Sequence, residues 1–287
     1  MNISIGNLIE SLGDISSQHS TSTITYRFYS EVANEIFKNT SFNKTDNSFE
    51  TIGAFGKVCV PFLQMGAVST FDIFKSLNEL IIFAYYLKNK YKYKNVVDIG
   101  ANIGLHSIMM GKLGWQVASY EPDPKHYDIL TENISLNNLE SRVTTILSAV
   151  SDRAGVSSFV RVLGNTTSSH LDGAKNNAYG DLEKIEVNLS NINHVINEVD
   201  FIKIDAEGHE GTIICNIPEN KFSGIDVMVE VGSEANAIDI FNYCQSINLN
   251  LFSQKIGWNM VKKIDEVPKG YKEGSLFISK DRFMNWH

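Results

Sequence analysis

Two kinds of periodicity divide this chain. Before residue 95 apolar positions recur at helical spacing: Ile5, Leu8, Ile9 and Leu12, and later Leu77, Leu80, Ile81, Ala84 and Leu87. A polar stretch from Ser16 to Thr23 follows the first set, and the basic run Lys88 to Lys94 follows the second. Phe55 to Thr70, mixed and Gly-containing, reads as a short strand or loop region. From Asn95 the pattern changes to short apolar runs alternating with amphipathic stretches. Val96 to Ile99, Gln116 to Tyr120, Val143 to Leu147, Phe201 to Ile204 and Val227 to Val231 read as buried strands. Leu105 to Leu113, closed by Gly114, Pro124 to about Asn137, and a stretch from about Gly208 read as helices. Such alternation predicts a mostly parallel sheet with helices on both faces. Leu249 to Gln254, Asn259 to Ile264 and Leu276 to Ser279 read as strands joined by turns, an antiparallel C-terminal edge. The organisation expected is a mainly helical N-terminal cap or docking region, 1–94, and one α/β domain, 95–287.

Composition narrows the class. The chain has 287 residues, 43% hydrophobic and 20% charged, with net charge −8, as a well-packed domain plus an appendage would. That balance argues against nucleic acid, whose phosphates call for a basic surface. Cys59, Cys215 and Cys244 lie too far apart for a metal pair or a disulfide framework and read as reduced buried thiols. The longest apolar run, Leu80 to Leu87, is far short of the roughly 20 residues of a membrane span. The first residues lack a basic region followed by an apolar core, so no signal peptide and a cytoplasmic location are expected. The Ile5 to Leu12 segment either caps its own core or docks on a second copy in a homo-oligomer.

The candidate chemistry clusters where strands end. Strand 95–99 delivers Asp98, then the turn Gly100-Ala101-Asn102-Ile103-Gly104, then a helix; ligands of open parallel sheets bind at such positions. Gly100 and Gly104 are expected to let the backbone pass beneath a ligand. The spacing is not GxGxxG, and there is no GxxxxGK[ST] phosphate cradle. A cationic cofactor without a pyrophosphate, S-adenosylmethionine (SAM), suits acids and carbonyls beside a glycine turn. Glu121 ends the next strand 23 residues after Asp98, where a carboxylate can accept both ribose hydroxyls. Ser148-Ala149-Val150 suits an adenine edge. Phe201 to Glu210 then crowds Lys203, Asp205, Glu207, His209 and Glu210 around one strand end. Lys203 inside an apolar strand needs a partner, because an unpaired buried charge costs several kcal/mol. Asp205 is placed to face the methionine part of SAM, Glu207 and His209 the acceptor. Asp205, Glu207 or Glu210 also leave a divalent metal open, since hard cations favour carboxylates.

Taken together, Asp98 to His106, Glu121-Pro122-Asp123-Pro124, Asn133 to Asn137, Ser148 to Ser151 and Ile202 to Glu210 resemble the FkbM-type methyltransferases. The resemblance runs from about Glu79 to Val231, and its Lys-Ile-Asp-x-Glu-Gly-x-Glu signature is specific. It implies a class I (Rossmann-like) methyltransferase fold with a seven-stranded sheet, SAM as donor, and O-methylation of a hydroxyl, commonly on a sugar or polyketide. The cofactor set it implies is Glu79, Asp98, Gly100, Asn102, Gly104, Glu121, Ala149 and Asp205. One segment departs: where such proteins usually carry a Thr-Leu-Asp-Asp-like stretch, Leu189-Ser190-Asn191-Ile192-Asn193 has no acids.

Gly164 to His170 is this chain's own feature, rich in small hydroxyl side chains and followed by Lys175 and Tyr179. It reads either as a solvated loop or as an acceptor loop in which Asn165, Thr166 and Ser169, with Lys203, bind the small-molecule or glycan substrate. A sugar hydroxyl is a weak acid, so a general base is expected: His170 or His209, with Glu207 as the alternative. His106 reads as packed or cofactor-adjacent. The rival readings are an NAD-dependent sugar oxidoreductase and a non-catalytic SAM-fold binding module. The first needs a Tyr-x-x-x-Lys pair, and Tyr86 to Lys90 has that spacing only on the helix before the glycine turn.

Overall fold

The buried, mostly β-branched runs of the second region form the strands expected of them. The computed structural model describes residues 4–39, 50–175 and 180–286. In chain order the early elements are α1 (Ile5–Leu12), α2 (Ile24–Asn39), the two-residue strands β1 (Glu50–Thr51), β2 (Lys57–Val58), β3 (Gln64–Met65) and β4 (Val68–Ser69), and α3 (Thr70–Phe74) and α4 (Leu77–Lys88). Then come β5 (Asn95–Ile99), α5 (Leu105–Lys112), β6 (Gln116–Tyr120), α6 (Pro124–Leu136) and β7 (Val143–Ile146). The next stretch holds β8 (Ala149–Ser151), β9 (Gly155–Val162), β10 (His170–Leu171), β11 (Leu182–Asn191) and α7 (Ile192–Val195). The chain closes with β12 (Phe201–Ile204), α8 (Glu210–Cys215), β13 (Asp226–Glu230), α9 (Glu234–Ser246), β14 (Asn250–Ser253), β15 (Asn259–Met260) and β16 (Ser275–Ser279).

Among the described residues the main sheet has the order β15-β14-β16-β13-β12-β5-β6-β7. The strands from β13 to β7 are parallel; at the other edge the pairs β13–β16, β16–β14 and β14–β15 are each antiparallel, so β16 and β15 run against the rest. Seven strands with one reversed hairpin inserted beside β13 are the class I methyltransferase topology. The eighth, β15, is only two exposed residues. A four-stranded sheet, β10-β9-β11-β8, also forms, which the strand pattern did not predict.

The sheet buries both faces. On one, Val96, Phe201, Met228 and Phe277 pack under α4, and Ile5, Leu8, Ile9 and Leu12 of α1 join the same cluster. On the other, Val97, Ile99, Ile202, Ile204, Val227 and Val229 pack against Ile213, Ile214, Ala237 and Ile240 of α8 and α9. Side chains alternate along a strand, so Asp98, Lys203 and Glu230 fall on the α4 face, at the carboxyl ends of adjacent strands β5, β12 and β13. No helix among the described residues is long and apolar enough to cross a membrane.

Candidate functional site

After β5 the chain works outward through β6 and β7, then returns to place β12 on the other side of β5. That reversal leaves a crevice beyond the strand ends. A cleft of about 600 Å³ opens there, lined by Gly100, Asn102, Glu121, Ala149, Asp205 and Glu207 on the main-sheet side. Thr166, Thr167, Ser169, His170, Phe159 and His126 line the other side.

The glycine turn works differently from the expectation. Gly100 has φ 77°, and a Cβ there would fall 1.8 Å from the Asp205 carbonyl oxygen. Gly104, at φ 91°, caps α5, and its Cβ would meet Leu130 Cδ1 at 2.5 Å. Both glycines let neighbouring protein segments close up on the turn; Gly100 lines the cleft and Gly104 does not.

Glu121 is 5% exposed yet lines the cleft. Its Oε2 accepts the Asn102 N–H and its Oε1 the Asp123 N–H, each at 2.8 Å. Each carboxylate oxygen has a second lone pair to offer. Burial, which outweighs those two donors, pushes the carboxyl up to about 8.

Beneath the floor lies a buried charged cluster. Lys203 does not line the cleft, which corrects its expected contact with substrate; its partners are the protein's own acids. Its Nζ lies 3.4 Å from Asp205 Oδ2, and Asp205, Asp98, Glu230 and Glu79 together outweigh burial and hold it protonated. Glu79, from α4, bonds His106 Nε2 at 2.6 Å, while His106 Nδ1 meets Tyr86 Oη at 2.9 Å. Burial pushes Glu79 up, but His106 and Lys203 overcome it and hold the carboxyl below its ordinary value. Burial, with Asp205 and Glu79 nearby, drives Glu230 well above its own. Asp98 Oδ2 accepts from Ser107 Oγ at 2.6 Å. Asp98 Oδ1, Asn102 Oδ1 and Asp205 Oδ1 are buried acceptors with no hydrogen-bond donor.

The opposite wall comes from the second sheet. Ser169 and His170 follow a 3₁₀ turn, Thr166–Ser168. His170 is 2% exposed, and its Nδ1 donates to the Ser168 carbonyl at 2.9 Å, which leaves Nε2 as the acceptor nitrogen. His126, at the start of α6, bonds Thr166 Oγ1 at 2.9 Å; sequence reasoning passed over it, although it lies two residues past Pro124 on the helix that follows the Glu121-Pro122 pair. Asn165 holds its own turn, donating to Ser168 Oγ and accepting from Thr167 Oγ1, and does not line the cleft. Tyr179 lies outside the described residues. His209 meets Ser151 Oγ at 2.9 Å; the Ser151 hydroxyl hydrogen goes to Asp152, so Nε2 is the donor. Burial lowers the His209 imidazole.

The acids once open to a metal are engaged elsewhere. Glu210 accepts from Gly208 N–H at 2.7 Å and Asn236 Nδ2 at 2.7 Å, and burial pushes it up to about 7. Glu207 is bonded to Lys175 and Tyr271. Among the described residues no group of three or more His, Cys, Asp or Glu could hold a metal ion.

A reversed-hairpin sheet with acids at the ends of β5, β6 and β12 is the framework of a class I methyltransferase. Residues 98–267 match the methyltransferase FkbM domain, more than half of the chain, and the chain belongs to that family. It is 28% identical over 170 residues to methyltransferase sdnD of Sordaria araneosa, an alignment covering 47% of this chain and 65% of that relative, just under two thirds of its length. Among solved structures, methyltransferase FkbM from Methylobacillus flagellatus KT aligns at 16% identity and TM-score 0.42, over 72% of this chain and 54% of that one. An O-methyltransferase from Bacillus cereus in complex with SAH aligns at 14% identity and TM-score 0.37, over 68% of this chain and 78% of that one.

Proposed function

We propose that the chain is a SAM-dependent O-methyltransferase whose acceptor is a hydroxyl of a sugar or other glycan-related small molecule. The observation that carries this reading is the polarity of the two cleft walls. On one, the buried acceptors Asn102 Oδ1 and Asp205 Oδ1 have no donor and Glu121 keeps lone pairs free, while Asp98 Oδ1, beneath the floor, also lacks a donor. Unpaired buried acceptors are costly, and an ammonium and two ribose hydroxyls supply the donors they lack. Asn102 and Asp205 would hold the amino-acid end, with Asp98 adding negative charge from beneath the floor, Glu121 the ribose, and Ala149 the adenine edge. Bound there, SAM would supply a methyl group on a sulfonium that leaves as a neutral thioether.

The other wall carries Thr166, Thr167, Ser169, His170 and His126, which donate and accept hydrogen bonds without formal charge when the imidazoles are neutral. Such a wall suits a neutral polyhydroxylated acceptor. The chain's own tasks are to orient one hydroxyl and take its proton; positioning and a base contribute together, the base typically ~10²–10⁴-fold. His170, His209 and Glu207 all line the cleft and are the candidates for that proton.

A screen with tritiated SAM against sugars, nucleotide sugars and oligosaccharides, with and without magnesium, tests the reading. Label transfer to at least one neutral polyol is the expected result. SAM binding by calorimetry with no transfer to any of them would favour a binding module, and NADH binding an oxidoreductase.

A further inference from the structure

Glu207 is held in a way that its neighbours in the signature are not. Tyr271 Oη donates to Glu207 Oε2 at 2.9 Å, and Lys175 Nζ pairs with the same oxygen. The three residues come from separate parts of the chain: the segment after β10, the loop between β12 and α8, and the turn before β16. Among the described residues no donor reaches Oε1, and Glu207 lines the cleft. The backbone around it is constrained as well. Glu207 sits at φ 49°, a left-handed conformation that costs a non-glycine residue roughly 1 kcal/mol. At Gly208, φ 105°, a Cβ would stand 2.7 Å from the Ala174 carbonyl oxygen, so the segment carrying Lys175 lies directly on this loop. Room for Tyr271 is made by Gly232, where a Cβ would fall 2.4 Å from Tyr271 Oη. Strained backbone held by surrounding contacts is a feature of functional sites.

We propose, building on the methyltransferase reading above, that Glu207 takes the acceptor's proton on Oε1, and that Tyr271 and Lys175 are positioning residues that fix Oε2 and so aim Oε1 into the cleft. The acceptor's O–H bond breaks as its proton passes to Glu207, and the electron pair left on oxygen is the one that receives the methyl group. Tyr271 lies beyond the segment matched to the family, residues 98–267. Electrostatics agrees with the geometry. Burial pushes Glu207 up, Asp205 adds to that, Lys175 and Tyr271 pull it back, and the carboxyl comes to about 7. Glu210 at the start of α8 and Glu230 at the end of β13 also face it. Burial and these carboxylates keep the Tyr271 hydroxyl protonated, so it remains a donor at every working pH.

The experiment pairs kinetics on an acceptor from the screen with a measurement that needs none. Glu207→Gln is expected to lose about 10²–10⁴-fold in kcat, with calorimetric affinity for S-adenosylhomocysteine unchanged within threefold. Tyr271→Phe is expected to lose about tenfold in kcat at unchanged acceptor KM, and to move the acidic limb of the pH–rate profile upward by up to about one unit, because a lost donor raises the carboxyl's proton affinity. In carbon-13 NMR of glutamate side chains, the signal absent from Glu207→Gln is expected to titrate near neutrality and to move upward in Tyr271→Phe and in Gly232→Ala. A Glu207→Gln kcat within threefold of the parent, or a Glu207 titration unmoved in Tyr271→Phe, overturns the proposal. If no acceptor is ever methylated, the functional reading fails, while the NMR titration still decides whether Tyr271 positions Glu207.

Discussion

The two walls of the cleft are built to different standards. On the main-sheet wall, Asn102 and Glu121 follow strands paired on both sides, and both Glu121 oxygens are pinned by backbone N–H groups. On the facing wall, Thr166 to His170 ride on one 3₁₀ turn and a two-residue strand paired with β9 alone. The first wall is fixed by the sheet and presents a set of acceptors; the second is shaped by a small appended sheet and presents hydroxyls and imidazoles. The difference teaches where variation is cheap. Loops and short strands on a rigid scaffold change without disturbing the core, so one sheet-borne wall can face many different loop-built walls.

If that division holds, the link between the walls is its weakest point under mutation. Arg161 of β9 donates to Asp123 Oδ2 at 2.7 Å and also pairs with Glu183. Asp123 in turn caps α6 through the Lys125 N–H, and its own N–H holds Glu121. Arg161→Met leaves Asp123 buried without its cation, and breaking such a pair costs about 3–5 kcal/mol. Thermal melts are expected to show that loss together with weakened binding of S-adenosylhomocysteine, although Arg161 does not line the cleft. Full cofactor affinity in this variant would mean that the two walls are not joined through Asp123.

Glu121 gives a comparable, pH-dependent effect. Burial raises its carboxyl to about 8 in the fold, above the ordinary carboxylate range. A raised acid contributes stability that is fully present below its unfolded value and is lost as pH climbs through the folded one. The parent is therefore expected to lose about 4 kcal/mol from this group between pH 5 and about 8.5. Glu121→Gln should have a flatter melting profile over that range and a lower affinity for S-adenosylhomocysteine at every pH. Parallel profiles for parent and variant would show that Glu121 stays ionised in the fold, with the wall less strained than described.

The same contrast explains what the sequence makes legible. The main sheet announces itself, because β5, β12 and β13 are buried on both faces and read as short, mostly apolar runs in which Asp98, Lys203 and Glu230 stand out. The second sheet hides its signal. In β9 and β11 most of the positions are polar or exposed, and the alternation of Ile185, Val187 and Leu189 is the cue that could have found it. Leu189 to Asn191, the segment lacking the expected acids, runs there beside β8. Helix α2 is hidden in the same way by its polar face. In the site, the need of Lys203 for a partner follows from its strand alone, but Glu79 and Glu230 reach it only through the fold. Tyr271 and Glu207 are 64 residues apart, and no local pattern joins them.

The mildest change tests the separation of the walls most directly. Thr166 Oγ1 bonds His126 Nε2 at 2.9 Å, and both line the cleft. Thr166→Val keeps the shape of the side chain but removes that bond from the facing wall. Thr166 is half-buried in a turn, so its contribution to stability should stay near 1 kcal/mol, about the net worth of one hydrogen bond. For an acceptor found in the screen, KM is expected to rise about 3–10-fold, the effect of one lost neutral contact. The turnover number and the affinity for S-adenosylhomocysteine should hold steady, because nothing on the Glu121 wall touches Thr166 directly. An equal loss in cofactor affinity would show that the His126 side of α6 transmits the change to Glu121, and the cleft would then have to be treated as one wall.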